Sequence, residues 1–530
     1  MQGERTMKKV ISLFLKSGLW LQPIIMLGVK NFLNQTRPSL NWDSNTWLSC
    51  GMVSIIPILF YWLEELSRPR EQEAYTGKNK AMYPSVDKEL IRSKPTGIIL
   101  GKEKSTNKYV CKDINEDGHV ILIGGSGSGK SACYVIPSIL ANPLARIFAI
   151  DIKGELNFKT KKYTDEKVLV FNPEDRTKYG YDPLFNLNSE SNVQEILAVM
   201  QNIAYSLIAM PAGLKDPFWK NSARNLLIGL LIYYYRQGVT DFVGIIDEIL
   251  GKPIKESIQE VMTKANHGSV EYRYIVQFSN MEDATLGGII SEMNNHIVIF
   301  ANDQNIRYAF NDNGKKLNPH MLEEGYSIFI SIKEEKLAVY YDVLQLIINQ
   351  TLAELEKRPE NSDPIIMCID ELPRILSAGK IDRLLDAART LRSRKVCLYL
   401  VTQSTEALMS AFTENEVTDL ISNCSYIIVL QASSPKTQKM ICAWCGKYKA
   451  KKKSWNGTGK GTKTSITYEE KDIVEPSDLM ELKRKGEAIL VTPYGYCRVK
   501  KTPWYKDKYL KPVAEEAIEF NKTINELKEY

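Results

Sequence analysis

The chain has 530 residues, a formal net charge of +6, and a composition of 44% hydrophobic and 25% charged residues. This length is too great for one ordinary core and predicts about two to four domains. So small a charge surplus does not by itself indicate a nucleic-acid-binding protein. Nine scattered cysteines, an odd number, argue against a disulfide framework, and four scattered histidines argue against histidine-based catalysis or zinc binding.

Two apolar stretches predict a membrane anchor over residues 1–66, with two transmembrane helices. The second, Trp47–Leu63, has no charge over 17 residues and carries aromatic side chains at both ends. It is long enough to cross a hydrocarbon layer of roughly 30 Å. The first, Val10–Val29, is interrupted by Lys16 and Pro23. An amphipathic helix on the membrane surface is therefore the alternative for this stretch.

Basic residues predict how these two stretches are oriented. The loop between them contains only Lys30 and Arg37. More basic residues precede the first stretch and follow the second: Arg5, Lys8, Lys9, Arg68, Arg70, Lys78 and Lys80. By the positive-inside rule, we expect a multi-pass protein of the cell membrane with both termini and everything after about residue 67 in the cytoplasm.

Short apolar runs separated by helical spacing predict an α/β fold for residues 67–187 and 321–509. Several runs are apolar almost throughout, which is typical of parallel strands buried on both faces. The runs are 119–123, 146–150, 168–171, 327–332, 365–369, 396–401, 425–430 and 487–491.

Helical spacing without strand signals predicts a mostly helical domain inserted at residues 188–320. Residues 193–209 and 218–236 carry the clearest helical pattern in this part of the chain. Residues 510–530 form a short amphipathic helical tail, either a docking element or a simple appendage.

A glycine-rich loop, "GGSGSGKS", fits the pattern G-x-x-x-x-G-K-[ST] between a predicted strand and a predicted helix. In such a loop, backbone N–H groups converge on phosphate oxygens and the helix dipole adds to their attraction. Lys130 is expected to reach the β- and γ-phosphates, and the Ser131 hydroxyl to bind Mg²⁺. The remaining phosphate-binding residues are Gly124, Gly125, Ser126, Gly127, Ser128 and Gly129.

An acidic pair, Asp370 and Glu371, follows the apolar run 365–369. Asp370 is expected to hold Mg²⁺ through water, and Glu371 to polarise the attacking water as a general base. This arrangement favours hydrolysis over kinase-type transfer, and an acid that caps the next helix is the alternative. The gap of about 240 residues between Lys130 and Asp370 leaves room for a helical insertion.

Other polar residues lie near predicted strand ends. Gln403 follows the run 396–401, where it could sense a γ-phosphate. Upstream of that run, Arg389, Arg392 and Arg394 could reach a neighbouring subunit's nucleotide or form a solvated basic helix end.

The turn after the run 146–150 contains Asp151, Lys153 and Glu155. Polar residues at the carboxyl end of a strand line the ligand crevice of an open α/β sheet. A turn with surface charge explains them equally well.

Residues 447–463 contain seven lysines and no acidic residue. The pattern predicts a flexible basic loop, which contacts DNA phosphates without sequence preference or is simply solvated.

The order of these motifs resembles the TraG-like type IV coupling proteins, membrane-anchored ATPases of conjugation and type IV secretion. The resemblance covers the chain to about residue 509. It rests on the two N-terminal stretches, a closing segment at 475–505, and the motifs "GGSGSGKS", "DIKGEL", "DPFWKNSARNLL", "IDELPRI" and "VTQS".

The resemblance implies a RecA-like P-loop motor with an inserted all-alpha domain, assembled as a homo-hexamer around a channel. It implies ATP and Mg²⁺ as cofactors, and single-stranded DNA, a relaxase and secretion-channel proteins as partners. Lys130, Glu371 and Gln403 keep the roles given above, and Arg392 best matches the family's trans-acting arginine. Two alternatives stay open: a receptor that uses ATP binding as a switch, and a chromosome-segregation-type DNA pump.

Overall fold

The computed structural model describes most of the chain after residue 84, together with one N-terminal helix. The described residues are 22–36, 85–162, 166–210, 214–311, 315–377, 379–381, 383–458 and 461–528. The predicted span Trp47–Leu63 and most of Val10–Val29 lie outside them. Helix α1, Gln22–Thr36, begins within the latter. Among the described helices, none has the length and apolarity needed to cross a membrane.

The chain divides into two units. The larger comprises residues 79–446 and 472–530, and the smaller contains, among the described residues, 22–36 and 447–471.

A twelve-stranded sheet forms the centre of the larger unit, and seven of its strands are parallel. These strands are β4 (Val120–Ile123), β5 (Arg146–Asp151), β6 (Val168–Phe171), β9 (Ser327–Ser331), β10 (Ile365–Ile369), β11 (Val396–Thr402) and β12 (Tyr426–Val429). Across the sheet they lie in the order β12-β4-β11-β10-β5-β9-β6. Alternate residues of β4 enter different apolar clusters on the two faces, Ile121 and Ile123 in one, Val120 and Leu122 in the other. Burial on both faces explains why these strands are apolar throughout.

Five antiparallel strands extend the sheet at one edge: β1 (Ile91–Arg92), β2 (Ile98–Lys102), β3 (Tyr109–Lys112), β15 (Glu487–Thr492) and β16 (Gly495–Lys500). They lie in the order β1-β3-β2-β16-β15, with β15 next to β12. Seven of the eight runs predicted from sequence are thus parallel strands, and the last run is the antiparallel strand β15.

A body of helices is inserted between β6 and β9. Its entry strand β7 (Gly180–Tyr181) and its exit strand β8 (Lys316–Leu317) pair with each other in a separate two-stranded parallel sheet. The described helices between them are α4 (Val193–Leu207), α5 (Phe218–Arg236), α6 (Phe242–Leu250), α7 (Ile254–Lys264), α8 (Val270–Ile275), α9 (Asp283–Asn302) and α10 (Gln304–Phe310). Helix α5 is buried within the protein from Leu226 to Tyr234, which explains why its apolar run is continuous.

The remaining helices pack on the sheet or follow its strands. A π-helical turn, Ser131–Val135, leads into α2 (Ile136–Leu140). The others are α3 (Glu155–Thr160), α11 (Tyr341–Leu355), α12 (Leu372–Leu376), α13 (Leu384–Thr390), α14 (Thr405–Leu408), α15 (Glu414–Ser422), α16 (Pro435–Cys445), α17 (Pro476–Lys485) and α18 (Leu510–Lys528).

The prediction that residues 447–463 form a flexible loop is wrong. The segment forms the strands β13 (Lys447–Thr458) and β14 (Gly461–Asp472), which pair in a two-stranded sheet that we call the basic hairpin. The first strand ends at Thr458 and the second begins at Gly461, and β-branched and aromatic residues, which favour a strand, continue to Tyr468. Some of these strand-forming residues lie beyond residue 463, where the lysine-rich segment used for the prediction ends.

A buried ion pair anchors the last helix to the sheet. The Asp507 carboxylate lies 2.6 Å from the Lys102 ammonium and accepts a hydrogen bond of 2.7 Å from the Tyr109 hydroxyl. It also accepts the backbone N–H groups of Tyr509 and Leu510, at the start of α18. Burial raises the pKa of Asp507, but these hydrogen bonds outweigh burial and hold the pKa below its ordinary value. Four donors on one buried carboxylate therefore fix the C-terminal tail to β2 and β3.

We expect Asp507→Ala to lower the free energy of unfolding by about 3–5 kcal/mol, because it leaves the Lys102 ammonium buried without its counter-ion. Denaturant unfolding measures the change. The matched control is Glu515→Ala, which removes an exposed partner of Lys511 and should change stability by less than about 0.5 kcal/mol. Equal stability of the two variants would contradict the anchoring role.

Candidate functional site

Four neighbouring parallel strands, β4, β11, β10 and β5, end at one edge of the sheet, and each brings polar residues to it. The glycine-rich loop 124–131 follows β4, and Gln403 follows β11. Asp370 and Glu371 follow β10, and Asp151 ends β5. Because the carboxyl ends of parallel strands share one edge, residues more than 200 positions apart in sequence become neighbours.

The glycine-rich loop turns sharply between β4 and the π-helical turn. Gly127 and Gly129 have φ angles of +65° and +93°, in the left-handed region that side chains with a Cβ rarely adopt. Lys130 is buried, and its ammonium donates a hydrogen bond of 2.9 Å to the Gly124 carbonyl. The loop therefore curls around the ammonium of its own lysine, close to where backbone N–H groups would meet a phosphate.

The first acid of the pair reaches the loop directly. The Ser131 hydroxyl donates a hydrogen bond of 3.0 Å to Asp370 Oδ2. The other oxygen, Oδ1, is buried and has no hydrogen-bond partner in the described part of the protein. A hydroxyl and a carboxylate with a spare oxygen are hard oxygen ligands of the kind that Mg²⁺ prefers, so these residues fit a magnesium ion held partly through water.

The second acid is held from three sides. Lys153 donates a hydrogen bond of 3.1 Å to Glu371 Oε1, and Gln403 donates one of 3.3 Å to Oε2. The Lys130 ammonium lies 3.9 Å from the same carboxylate. Glu371 itself has a φ angle of +61°, a left-handed conformation that is rare outside glycine. Such strain at a strand end is typical of functional sites.

The two acids are shifted in opposite directions. Burial raises the pKa of Asp370, and Lys153 opposes this only in part. Burial also raises the pKa of Glu371, but Lys130 and the Lys153 hydrogen bond outweigh it and bring the pKa below its ordinary value. Burial lowers the pKa of Lys130, and both carboxylates oppose that shift. Burial thus favours the protonated form of Asp370, whereas the two lysines favour the ionised form of Glu371.

Asp151 organises the turn that presents Lys153. Its buried carboxylate accepts the backbone N–H groups of Glu155, Leu156 and Asn157 at 2.8–3.1 Å. Burial raises the pKa of Asp151 to about 6, although these hydrogen bonds oppose the shift. Asp151 therefore shapes the backbone of the turn, whereas Lys153 reaches Glu371.

Sequence reasoning left Lys153 without a role and missed two further lysines. The Lys501 ammonium, directly after β16, donates a hydrogen bond of 3.2 Å to the Ser128 carbonyl. Lys483 on α17 lies 3.5 Å from the Ser126 carbonyl. The closing segment of the chain thus adds positive charge to the glycine-rich loop. Only the antiparallel edge of the sheet brings it there, so no local signal in the sequence identifies these lysines.

The three arginines before β11 differ in their contacts. Arg389 forms an ion pair of 2.6 Å with Asp419, and Arg394 donates a hydrogen bond to the Arg358 carbonyl. Arg392 is exposed and forms no hydrogen bond or ion pair within the described structure. Arg392 precedes β11, whereas the glycine-rich loop lies at the other end of that strand. Because β11 is seven residues long, its two ends are roughly 23 Å apart. Arg392 therefore lies at the opposite edge of the sheet from its own chain's glycine-rich loop.

Comparison with known proteins finds similarity along most of the chain. A family model described as "Type IV secretory system Conjugative DNA transfer" matches residues 73–527. Protein VirD4 of Rhizobium rhizogenes is 18% identical over 412 residues, which cover 76% of this chain and 60% of the relative. Protein VirD4 of Agrobacterium fabrum is similar to the same extent. The chain thus spans about 60% of the length of the curated relatives it matches.

Solved structures show the same fold at low sequence identity. The unbound monoclinic form of the bacterial conjugative coupling protein TrwBdeltaN70 is 16% identical, with a TM-score of 0.61. The complex of the plasmid coupling protein TrwB with the ATP analogue ADPNP is 14% identical, with a TM-score of 0.62. Each match covers 81% of this chain and 96% of the other. The sheet and its P-loop edge therefore follow the TrwB-like α/β P-loop fold.

We expect Lys501→Gln to weaken ATP binding about tenfold, which corresponds to about 1.4 kcal/mol, because the loop loses a cation that would attract the phosphates. Titration with a fluorescent ATP analogue measures the affinity. Lys500→Gln is the matched control, since Lys500 is exposed, ends β16 and directly precedes Lys501. If both variants bind ATP like the unaltered protein, Lys501 has no part in the site.

Proposed function

The chain belongs to the type IV secretory system conjugative DNA transfer family, and from this we propose that it is the coupling ATPase of a type IV secretion system. It would deliver a relaxase–DNA or protein substrate to the secretion channel and move single-stranded DNA by ATP hydrolysis. The observation that carries the proposal is the Glu371 carboxylate held beside Lys130, Lys153 and Gln403 at the edge that carries the phosphate-binding loop.

The residues at this edge have distinct roles in the proposal. Residues 124–129 supply N–H groups to the phosphates, and Lys130 leaves the Gly124 carbonyl to reach the β- and γ-phosphates. Ser131 and Asp370 would hold Mg²⁺, which would neutralise charge on the phosphates. Glu371 accepts a proton from the attacking water, and its lowered pKa keeps it in the basic form.

Two polar residues would connect hydrolysis to movement. Gln403 touches Glu371 and follows β11 directly, so a change at the γ-phosphate would be transmitted to that strand. Arg392 has its place at the far edge of the sheet, so it would serve the nucleotide of a neighbouring subunit. A ring of subunits, with six as the family resemblance implies, would bring the two edges together.

The domain boundaries remain those predicted from sequence. Residues 1–66 would anchor the protein in the cell membrane, with the motor, residues 67–187 and 321–509, in the cytoplasm. Residues 188–320 would be the all-alpha domain that meets the substrate. This assignment is supported by the strand pair β7–β8, which encloses the inserted helices, and by the anchored helix α18 within the tail 510–530.

The basic hairpin is the proposed contact for DNA. Its seven lysines at 447–463 offer phosphate contacts without base readout. A transported strand has no fixed sequence, so contacts of this kind suit a translocating motor.

Glu371→Gln should lower the rate of ATP hydrolysis by about 10²–10³-fold, because Gln keeps the shape of the side chain but cannot accept the proton. ATP affinity should be retained. The assay measures phosphate release with and without single-stranded DNA, and Glu335→Gln, an exposed change of the same kind, serves as the control.

Two results would redirect the proposal. Unchanged hydrolysis in Glu371→Gln would exclude Glu371 as the base. If the unaltered protein hydrolyses ATP at a rate that DNA does not change, the receptor that uses ATP binding as a switch becomes the better interpretation.

Replacing the seven hairpin lysines with Gln should weaken single-stranded DNA binding and flatten its salt dependence, by about 0.7 in the log–log slope for each phosphate that the variant no longer neutralises. Fluorescence anisotropy over a salt series measures this slope. The control replaces seven exposed lysines elsewhere, so that net charge changes equally. These are Lys88, Lys94, Lys104, Lys108, Lys255, Lys264 and Lys439. Equal slopes for the two variants would show that the hairpin makes no special contact.

A further inference from the structure

Gln403 lies in a short turn whose backbone is fixed on both sides. The Thr402 hydroxyl donates a hydrogen bond of 2.8 Å to the Ser404 carbonyl, and the Ser404 hydroxyl oxygen accepts the backbone N–H of Ala407 at 3.1 Å. Helix α14 follows at once, but four residues are too few to form a stable helix without contacts from elsewhere. The position of Gln403 therefore depends on what holds α14.

Glu406, within α14, joins this helix to the start of α16. The Glu406 carboxylate accepts hydrogen bonds from the Ser434 and Thr437 hydroxyls, and it accepts the backbone N–H of Thr437 at 3.3 Å. Ser434 is the N-cap residue of α16, yet its side chain makes no capping hydrogen bond to its own helix. Glu406 thus supplies from α14 the acceptor that an N-cap side chain usually provides.

Two buried threonines make a second link between the same two helices. Thr405 and Thr437 are both fully buried. The Thr437 hydroxyl oxygen accepts the backbone N–H of Thr405 at 3.1 Å, and the two hydroxyl oxygens lie 2.8 Å apart. The same Thr437 hydroxyl donates to Glu406, so the backbone and a side chain of α14 meet α16 at one residue. Because this network is buried and directional, it fixes the geometry of the two helices.

Electrostatics strengthens the contact between Glu406 and α16. Burial raises the pKa of Glu406, but the hydrogen bonds from Ser434 and Thr437 outweigh it and bring the pKa to about 2. The side chain is therefore a carboxylate near neutral pH. A negative charge beside the first turn of a helix is also favoured by the helix dipole.

Helix α16 leads along the chain from this contact to the basic hairpin. Its eleven residues span about 16 Å. Its first turn is also fixed by Gln438, whose side-chain amide donates a hydrogen bond of 3.0 Å to the Ala432 carbonyl. Gly446 follows the helix, and β13 begins at Lys447. The helix that begins at Glu406 therefore ends one residue before the segment proposed to contact DNA.

We propose that Glu406 is a positioning residue that acts through Gln403. By joining α14 to the start of α16, it keeps Gln403 in place at Glu371 and passes a change at the γ-phosphate on to α16. This role rests on the proposed function, because it takes Glu371 as the base and Gln403 as the residue that responds to the γ-phosphate. A residue that only capped α16 would stabilise the fold but would have no effect that depends on Gln403.

Steady-state ATP hydrolysis by the full-length protein tests this dependence. Glu406→Gln should lower kcat about tenfold and leave KM for ATP within about twofold, because the phosphate-binding loop is untouched. In a Gln403→Ala background, the same change should lower kcat by less than about twofold, since the residue through which Glu406 acts is already missing.

Glu414→Gln is the matched control. Glu414 is exposed and forms an ion pair of 3.0 Å with Lys436, in the first turn of the same helix α16. This variant should leave kcat unchanged in both backgrounds. An equal loss from Glu406→Gln in the two backgrounds, or equal effects of Glu406→Gln and Glu414→Gln, would overturn the proposal.

Thr437→Val keeps the test decisive if Glu406→Gln destabilises the protein. Val has nearly the shape of Thr but lacks the hydroxyl that joins Thr405 to Glu406. Thr437→Val should likewise lower kcat and should have little effect in the Gln403→Ala background. Effects of Thr437→Val and Gln403→Ala that simply add would overturn the proposal.

Amide hydrogen exchange gives a readout that needs no hydrolysis. Binding of the ATP analogue ADPNP to the unaltered protein should slow exchange over residues 434–445, and Glu406→Gln should abolish this response while still binding ADPNP. Absence of the response in the unaltered protein, or its persistence in Glu406→Gln, would overturn the proposal. If the unaltered protein binds ADPNP but hydrolyses no ATP, the proposed function fails, and the exchange result still decides the role of Glu406.

Discussion

The arrangement of the site depends on one carboxylate, Glu371, which is held by groups from three other strands. Lys130 follows β4, Lys153 follows β5 and Gln403 follows β11. These contacts exist only because β10 lies between β5 and β11 and its backbone turns into a left-handed conformation directly after the strand. A shift in strand order or register would separate the groups, so the parallel sheet is what sets the geometry of the site.

The parts of the site that lie within a few residues of one another could be predicted from sequence. The loop 124–131 and the pair at Asp370 and Glu371 carry their own local signals, and continuous apolar runs identify the parallel strands because both faces are buried. The contacts of Lys153 and Lys501 could not be predicted. They depend on which strands become neighbours, and this follows from packing across hundreds of residues. The basic hairpin was missed because lysine dominates its first strand and obscures the strand-forming residues of the second.

The larger unit is stabilised by two continuous apolar clusters, one on each face of the sheet. The cluster that contains Ile121 and Ile123 extends into the inserted helices, including the buried part of α5. The other covers the opposite face and receives Leu510 of the C-terminal helix. Burial of apolar surface thus joins the inserted body to the sheet, while the polar edge stays available for phosphate chemistry.

The strand pair β7–β8 has a consequence for how such chains can vary. The inserted body leaves and returns through two strands that lie side by side, about 5 Å apart. Helices could be added or removed between these strands without changing the register of any strand in the main sheet, provided that the face covering the sheet stays apolar. The shape of the inserted body and the edge that carries the glycine-rich loop are therefore separable traits, and one can diverge in size while the other stays unchanged.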